Sequence, residues 1–482
     1  MQLDSLSTRA LPAGHLPLIR ACMDRIGLKQ VVDDHLPRHP LAHASDAECV
    51  MAMVLNILSG RMALWRMDQW LQKLDTELIM GSGVDAAWFH NTRLGQCLDR
   101  LDAVGTDRLL GDVVTGYLER ENVPRQASVH LDTTTVSVFG AYDLQLEPTP
   151  LRGFSKDHRP DLKQLVFGLA VHGSVGVPLT LSVANGNTSD HASFRDHLAK
   201  LAALLPDPEE ITVVADCKVV DAETLGRLMG SGFQPASLVP NSFGLRAELV
   251  EQAWTEQPEV GTWPLLSEKA AANASEKPQR YRGWSQTARI GVRLGNDPAD
   301  GGTLSDEELR FLVVHSDRLV GRFDEALPDR LKREHESLQD RAKSQGTKGL
   351  ACEEDARRAG ARVAKAAHLH NATVEVQSEV RTLKRSRRGR PKAGEVAPTK
   401  TVWHFKLKLV PDEEAIATAR RKASCFVLIT DWDAEEWTDI RVLDEYRHQS
   451  VIEGHTGFRW LKGPGSSHRS SSTRRPGSAR WA

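Results

Sequence analysis

The sequence predicts an α/β protein: a mixed sheet with helices, preceded by a helical N-terminal domain and interrupted by a large α+β insertion ahead of a last helix. Three observations predict it. Apolar residues recur three and four apart from Leu11 to about Glu121, which is the period of an amphipathic helix. From Ser128 the apolar runs shorten, become rich in Val and Thr, and alternate with single helical stretches, as strands of one layer do. From Asn241 this regularity breaks down and does not return until about Asp431.

Each element has a local reason. LPLIRACMDRIGL and ECVMAMVLNIL read as helices, and Ser45 followed by Glu48 has capping-box spacing for the second. NTRLGQCLDRL (Asn91–Leu101) and Asp107–Leu118 add further helices, and Pro124 closes the domain. A compact helical domain of this kind can present one helix to a DNA groove, although three-helix packing alone gives the same pattern. Strands are expected at Ser128–Phe139, Leu165–His172 and Pro178–Ala184, followed by the turn and cap cluster NGNTSD and a helix over His191–Leu205. ITVVADC (Ile211–Cys217) reads as a buried strand ending in an acid, then come a helix over Asp221–Met229 and a strand over Pro235–Val239. In the insertion, FLVVHS reads as a strand, Phe323–Leu383 as charged helical sequence, and Thr401–Leu409 as pairing with Ser424–Thr430. The last helix is expected over Ala434–Leu461. The domain boundaries expected are 1–124, 125–240, 241–430 and 431–464, with a tail over 465–482.

Composition narrows the class. A chain of 482 residues implies about two to four domains. Forty per cent hydrophobic and 26% charged residues describe a globular chain able to bury cores. A net charge of -2 neither suggests nor excludes nucleic acid; its distribution carries more information. Six scattered cysteines without a CxxC pair argue against a zinc ribbon or a disulfide framework. With no apolar run of membrane-spanning length and no signal-peptide order at the N-terminus, a cytoplasmic protein with no membrane partner is expected.

The chemistry centres on Asp132, which interrupts the strand run SVHLDTTTVSVFG. Asp is depleted in strands, and a buried strand carboxylate needs a network, an ion pair or a metal. Asp216 repeats the pattern in VVADC. If the two strands are neighbours, their acids repel unless a cation or proton lies between them. Mg²⁺ (or Mn²⁺) suits such a site, since it takes carboxylate oxygens and keeps positions for water or phosphate. The last helix supplies a third acid, Glu453; Tyr446, Gln449 and Glu453 fall three and four apart and share a face.

These motifs resemble the DDE transposases of bacterial insertion sequences, which share an RNase H-like catalytic fold. The subgroup it looks closest to has a long insertion before the catalytic Glu and a signature of Tyr, two residues, Arg, three residues, Glu, six residues, Lys. Tyr446 and Glu453 match at that spacing; Gln449 stands at the Arg position, and Lys462 follows Glu453 by nine residues instead of seven. FSKDHRPDLKQLVFGLAVH and GNTSDHASF also resemble the family. The resemblance implies that Asp132, Asp216 and Glu453 form a metal-binding catalytic triad. It implies an enzyme that cleaves the terminal inverted repeats of its element and joins them to target DNA by two-metal phosphoryl transfer, acting as a homodimer when DNA-bound.

Basic residues fit a DNA partner. KRSRRGRPK (Lys384–Lys392) holds six cations in nine residues, and its Arg388-Gly389-Arg390 core reads either as a minor-groove hook or as a solvated basic loop. Lys156, Arg159 and Lys163 flank the second strand and could grip phosphate; surface charge is their bland alternative. Tyr446 could stack on a terminal base, and Trp284 and Trp403 are candidates to hold a flipped one, against simple core packing. Two other functions keep the same residues: an RNase H-like nuclease without strand transfer, and a catalytically inactive remnant that only binds DNA. Finally, GSSHRSSSTRRPGSARWA after Pro464 has no Leu, Ile or Val and is expected to be disordered. Its neighbouring reading frame can spell an apolar continuation, so the tail is expected to be a frameshift product.

Overall fold

The computed structural model describes residues 11–124, 128–142, 147–156, 158–205, 211–215, 220–270, 278–294, 303–346, 349–383 and 399–455, with only the backbone course for 449–455. Seven helices come first: α1 (Leu16–Arg25), α2 (Leu28–His35), α3 (Asp46–Leu58), α4 (Met67–Leu71), α5 (Thr76–Met80), α6 (Asn91–Val104) and α7 (Thr106–Arg120). Gly27 joins α1 to α2 at φ 69°, a left-handed conformation that a side chain resists. Ser45 and Glu48 close the capping box at the start of α3, with Glu48 N–H donating to Ser45 Oγ at 3.1 Å and Ser45 N–H to Glu48 Oε2 at 2.7 Å. The apolar faces meet in a core that includes Met51, Leu55, Leu71, Phe89 and Leu94. At its margin, fully buried Asp46 takes Arg93 and Arg100, each at 2.6 Å.

The sheet segment follows as β1 (Ser128–Val138), β2 (Lys163–His172), β3 (Pro178–Ala184), α8 (Asp190–Leu204), β4 (Thr212–Ala215), α9 (Ala222–Gly230) and β5 (Gln234–Leu238). Then come α10 (Gly244–Glu256), β6 (Leu265–Lys269), β7 (Gln279–Leu294), β8 (Thr303–Ser316), α11 (Asp317–Gly346), α12 (Glu353–Ala364), β9 (His370–Thr382), β10 (Thr399–Pro411), α13 (Glu413–Ala423), β11 (Cys425–Thr430) and α14 (Asp439–His455). The chain divides into two compact units: Met1–Leu238 with Ala288–Leu309 and Ile429–Ala482, and Val239–Thr287 with Arg310–Leu428.

In the first unit the strand order is β3-β2-β1-β4-β5. β1 and β3 both run antiparallel to β2, whereas β4 runs parallel to β1 and β5 parallel to β4. Parallel neighbours require crossover helices, and α8 and α9 supply them. The two faces of β1 differ. On one, Thr133 Oγ1 donates to Asp190 at the start of α8, and His197 of α8 sits between Thr180 and Ser182 at 2.6 and 2.8 Å. A side chain at Gly168 would meet Ser182 Oγ at 2.6 Å and His197 Nδ1 at 3.0 Å, which is why the strand carries glycine where the helix comes closest. On the other face α14 lies across β1, β4 and β5.

The second unit joins α11 and α12 to the β9–β10 hairpin through Leu338, Ala342, Ala359, Val363, Phe405 and Leu407. Two expectations need correction there. Residues 323–383 are not helical throughout, because the alternating NATVEVQSEVRT forms β9; and β10 pairs with β9, not with Ser424–Thr430, which is β11. Period-two alternation decides the first, and for the second β9 pairs β10 along its whole length, from Thr382–Thr399 to His370–Pro411. In the first unit the last helix starts at Asp439 instead of Ala434. Asp433 accepts from Glu435 N–H at 2.7 Å in a turn, and Thr438 accepts the first helical bond from Val442. Residues 465–482 lie outside the described residues. Among the described residues no helix is long and apolar enough to cross a membrane.

Candidate functional site

Asp132 is half-buried on β1, where Oδ1 accepts a hydrogen bond from Thr133 N–H at 2.7 Å. It pairs with Leu169 on β2 and stands one residue beyond the last β1–β4 pair, Leu131 with Ala215. Side chains alternate along a strand, so Asp132 shares a face with His130, two residues earlier. That is the face covered by α14.

His130 makes the contact between the two. Its imidazole is 3% exposed, donates from Nε2 to Glu445 Oε1 of α14 at 3.1 Å, and lies 3.3 Å from Ser128 Oγ. Burial pushes the Glu445 carboxyl up, but hydrogen bonds from His130 and Ser128 outweigh it and hold the group below its usual range. His448, one turn on, places its ring 6.0 Å from that of His130. The start of α14 is anchored in the same unit. Trp432 donates from Nε1 to Thr212 Oγ1 of β4 at 2.5 Å and stacks on Trp437 at 3.7 Å, and Arg441 lies 3.8 Å over the other indole. Between β11 and this stack, Asp431 is half-buried with its Oδ1 enclosed and unbonded, and desolvation pushes its carboxyl up to about 7.

The remaining expected residues fall in different places. Lys156 lies on the α8 side of β1, opposite the face of Asp132: its ammonium donates to the backbone oxygen of Thr133 and, at 2.8 Å, to Thr133 Oγ1, with Asp190 at 3.7 Å. Lys163 is elsewhere, paired with Val138 at the far end of β1, about 20 Å away by strand rise, where it binds the carbonyls of Ala141 and Tyr142. Arg159 forms a two-bond pair with Asp161 at 2.8 and 2.7 Å, which holds that carboxyl down at about 2, and it lies 6.0 Å over Phe139. Tyr446 is half-buried on α14. Gln449 and Glu453 follow on the same helix three and seven residues later, and their side chains lie outside the description. Asp216, Lys462, Arg388 and Arg390 also lie outside the described residues. Trp284 is buried and donates to Glu256 at 3.1 Å, and Trp403 is half-buried on β10.

Among the described residues no three His, Cys, Asp or Glu side chains converge as a metal cage. The donor chemistry at Asp132 nonetheless suits a hard cation: a half-buried carboxylate at a parallel strand pair, with a helix laid over its face. His130, Glu445, Trp432 and Asp431 were missed by sequence reasoning. The available signals were the strand period, which puts His130 on the face of Asp132, and the place of Glu445 beside Tyr446.

Residues 7–115 match a family described as a domain of unknown function, DUF4277. No curated protein matches the chain. Among solved structures, the cryo-EM structure of a piggyBac transposase synaptic complex with hairpin DNA is similar at 10% identity, covering 58% of this chain and 58% of that one, with a TM-score of 0.26. The chain thus spans less than two thirds of that structure's length, and a likeness this slight carries no argument. It is over residues 7–115, its helical N-terminal segment, that this chain is similar to a described family.

Proposed function

We propose that the chain is a metal-dependent DNA transposase of the DDE type, in which Asp132, Asp216 and Glu453 hold Mg²⁺ or Mn²⁺. One observation carries the reading: Asp132 lies on the face of β1 that α14 covers, one step past the Leu131–Ala215 pair. In the sequence Asp216 follows Ala215 directly. Glu453 belongs to the helix that His130 and Glu445 clamp onto this face, about 12 Å along its axis from Glu445 by helical rise. A mixed sheet in which an antiparallel meander continues into parallel strands supports the RNase H-like reading.

Asp132, Asp216 and Glu453 would hold the ions, which would supply activation of the attacking oxygen and stabilisation of the leaving one in phosphoryl transfer. The chain's own residues do the rest. The carboxylates hold the site's negative charge in place, whereas Lys156 is engaged with Thr133 and Asp190 on the α8 side of β1. Tyr446 stands on the face of α14 that carries Gln449 and Glu453, where it can orient a terminal nucleotide. The substrates are double-stranded DNA, the inverted repeats of an insertion sequence and a target, bound by a homodimer in the cytoplasm.

The test is strand transfer. Inverted repeats in the DNA flanking the gene supply the substrate, and the purified chain with Mg²⁺ should cleave them and join pre-cleaved ends to a plasmid. Asp132→Asn, Asp216→Asn and Glu453→Gln should each abolish both steps while retaining end binding. Cutting without joining would instead assign an RNase H-like nuclease, and full activity in any one variant would remove that residue from the triad.

A further inference from the structure

The second unit carries a stripe of arginines that the proposed chemistry does not use. Arg330, Arg333, Ser337 and Arg341 follow one another on α11 at spacings of three and four, so they stand along one side of the helix. All four are exposed, and they line a cleft of about 620 Å³ whose opposite wall is formed by Ala366, His368 and Leu369. The carboxylate in that lining, Glu334, is already engaged: Oε2 accepts from His370 Nδ1 and Leu369 N–H, each at 2.9 Å, and Oε1 from His368 N–H. The arginines are not neutralised in the same way. Arg330 lies 5.1 Å over the Phe323 ring, Arg333 donates to the backbone oxygen of Asp329 at 3.1 Å, and Arg341 has no side-chain partner among the described residues.

Geometry selects the class of ligand. A free phosphate would need cations converging on one point. Here they are strung along the helix, about 16 Å from Arg330 to Arg341 by helical rise. One strand of DNA presents a charge roughly every 3.4 Å along its axis, so the stripe spans about five phosphates. Guanidinium groups also match phosphate oxygens two bonds at a time. We propose that this face of α11 binds the phosphate backbone of duplex DNA. The choice of DNA over another linear polyanion rests on the proposed function.

The experiment measures binding of the full-length chain to a labelled duplex by fluorescence anisotropy, between about 50 and 200 mM salt. In an Arg330→Gln, Arg333→Gln, Arg341→Gln variant the slope of log affinity against log salt should become shallower by about 2 to 3, at roughly 0.9 for each phosphate that the protein no longer neutralises. The weakening should be the same for any duplex sequence, and the corresponding Lys variant should keep the slope. Because all three side chains are exposed, circular dichroism should show an unchanged fold. A triple Gln variant with the wild-type slope, in a chain that cleaves and joins ends, overturns this inference alone. A wild-type chain without salt-dependent duplex binding overturns both it and the proposed function.

Discussion

Replacing His130 by Ala should loosen α14 from the sheet without unfolding the protein. The imidazole is 3% exposed and donates to a carboxylate that burial would otherwise push up. A hydrogen bond to a charged group contributes about 1.5–3 kcal/mol, and its removal leaves Glu445 half-buried beside an unfilled space. Taking about 2 kcal/mol for the clamp, the open population of α14 rises roughly 30-fold. Hydrogen exchange reads this directly. The amides of Val442 and Leu443, buried residues of α14 itself, should exchange about 30-fold faster, whereas those of α8 on the other face should not change. Glu445→Gln keeps the shape and an acceptor and should show a smaller increase of the same kind. If α14 keeps its wild-type protection in the His130 variant, the pair is not what holds the helix. If α3 and α8 accelerate equally, the effect is global and the clamp has no local role.

Two further outcomes follow from buried polar groups. Asp431 titrates near 3.8 in an unfolded chain but is pushed up to about 7 in the folded one by burial, so the folded state favours the neutral acid. The stability this contributes is present below the unfolded value and is lost as pH rises from about 4 through 7. Asp431→Asn should therefore be more stable than the wild type at about pH 8, by up to about 4 kcal/mol, and nearly equal to it at about pH 3.5, as read from denaturant midpoints. An equal gap at both pH values would show that the carboxyl is not buried in this way. In the helical segment, Ser45→Ala removes the capping-box acceptor of α3 and should cost about 1 kcal/mol in urea unfolding. An unchanged midpoint would mean that α3 does not depend on that cap.

Much of the architecture is legible in the chain itself because it is written in short-range terms. The strands around Asp132, Phe167 and Leu181, the helix after NGNTSD and the cap at Ser45 follow from alternation, turn chemistry and spacing within a dozen residues. β9 was legible by the same rule but was masked by the charged helices before it. What the sequence could not disclose is which distant segments meet. His130 and Glu445 are 315 residues apart, and which strand pairs with β10 is not decided within any local window. Local propensity specifies each element weakly and independently, whereas pairing and burial are settled only when the chain closes long loops. The sequence by itself determined that the strand SVHLDTTTVSV carries Asp132 and that a late helix carries Glu453. Only the tertiary structure decided that Asp132 lies on the face beneath that helix, because a strand's side is chosen by what packs on it.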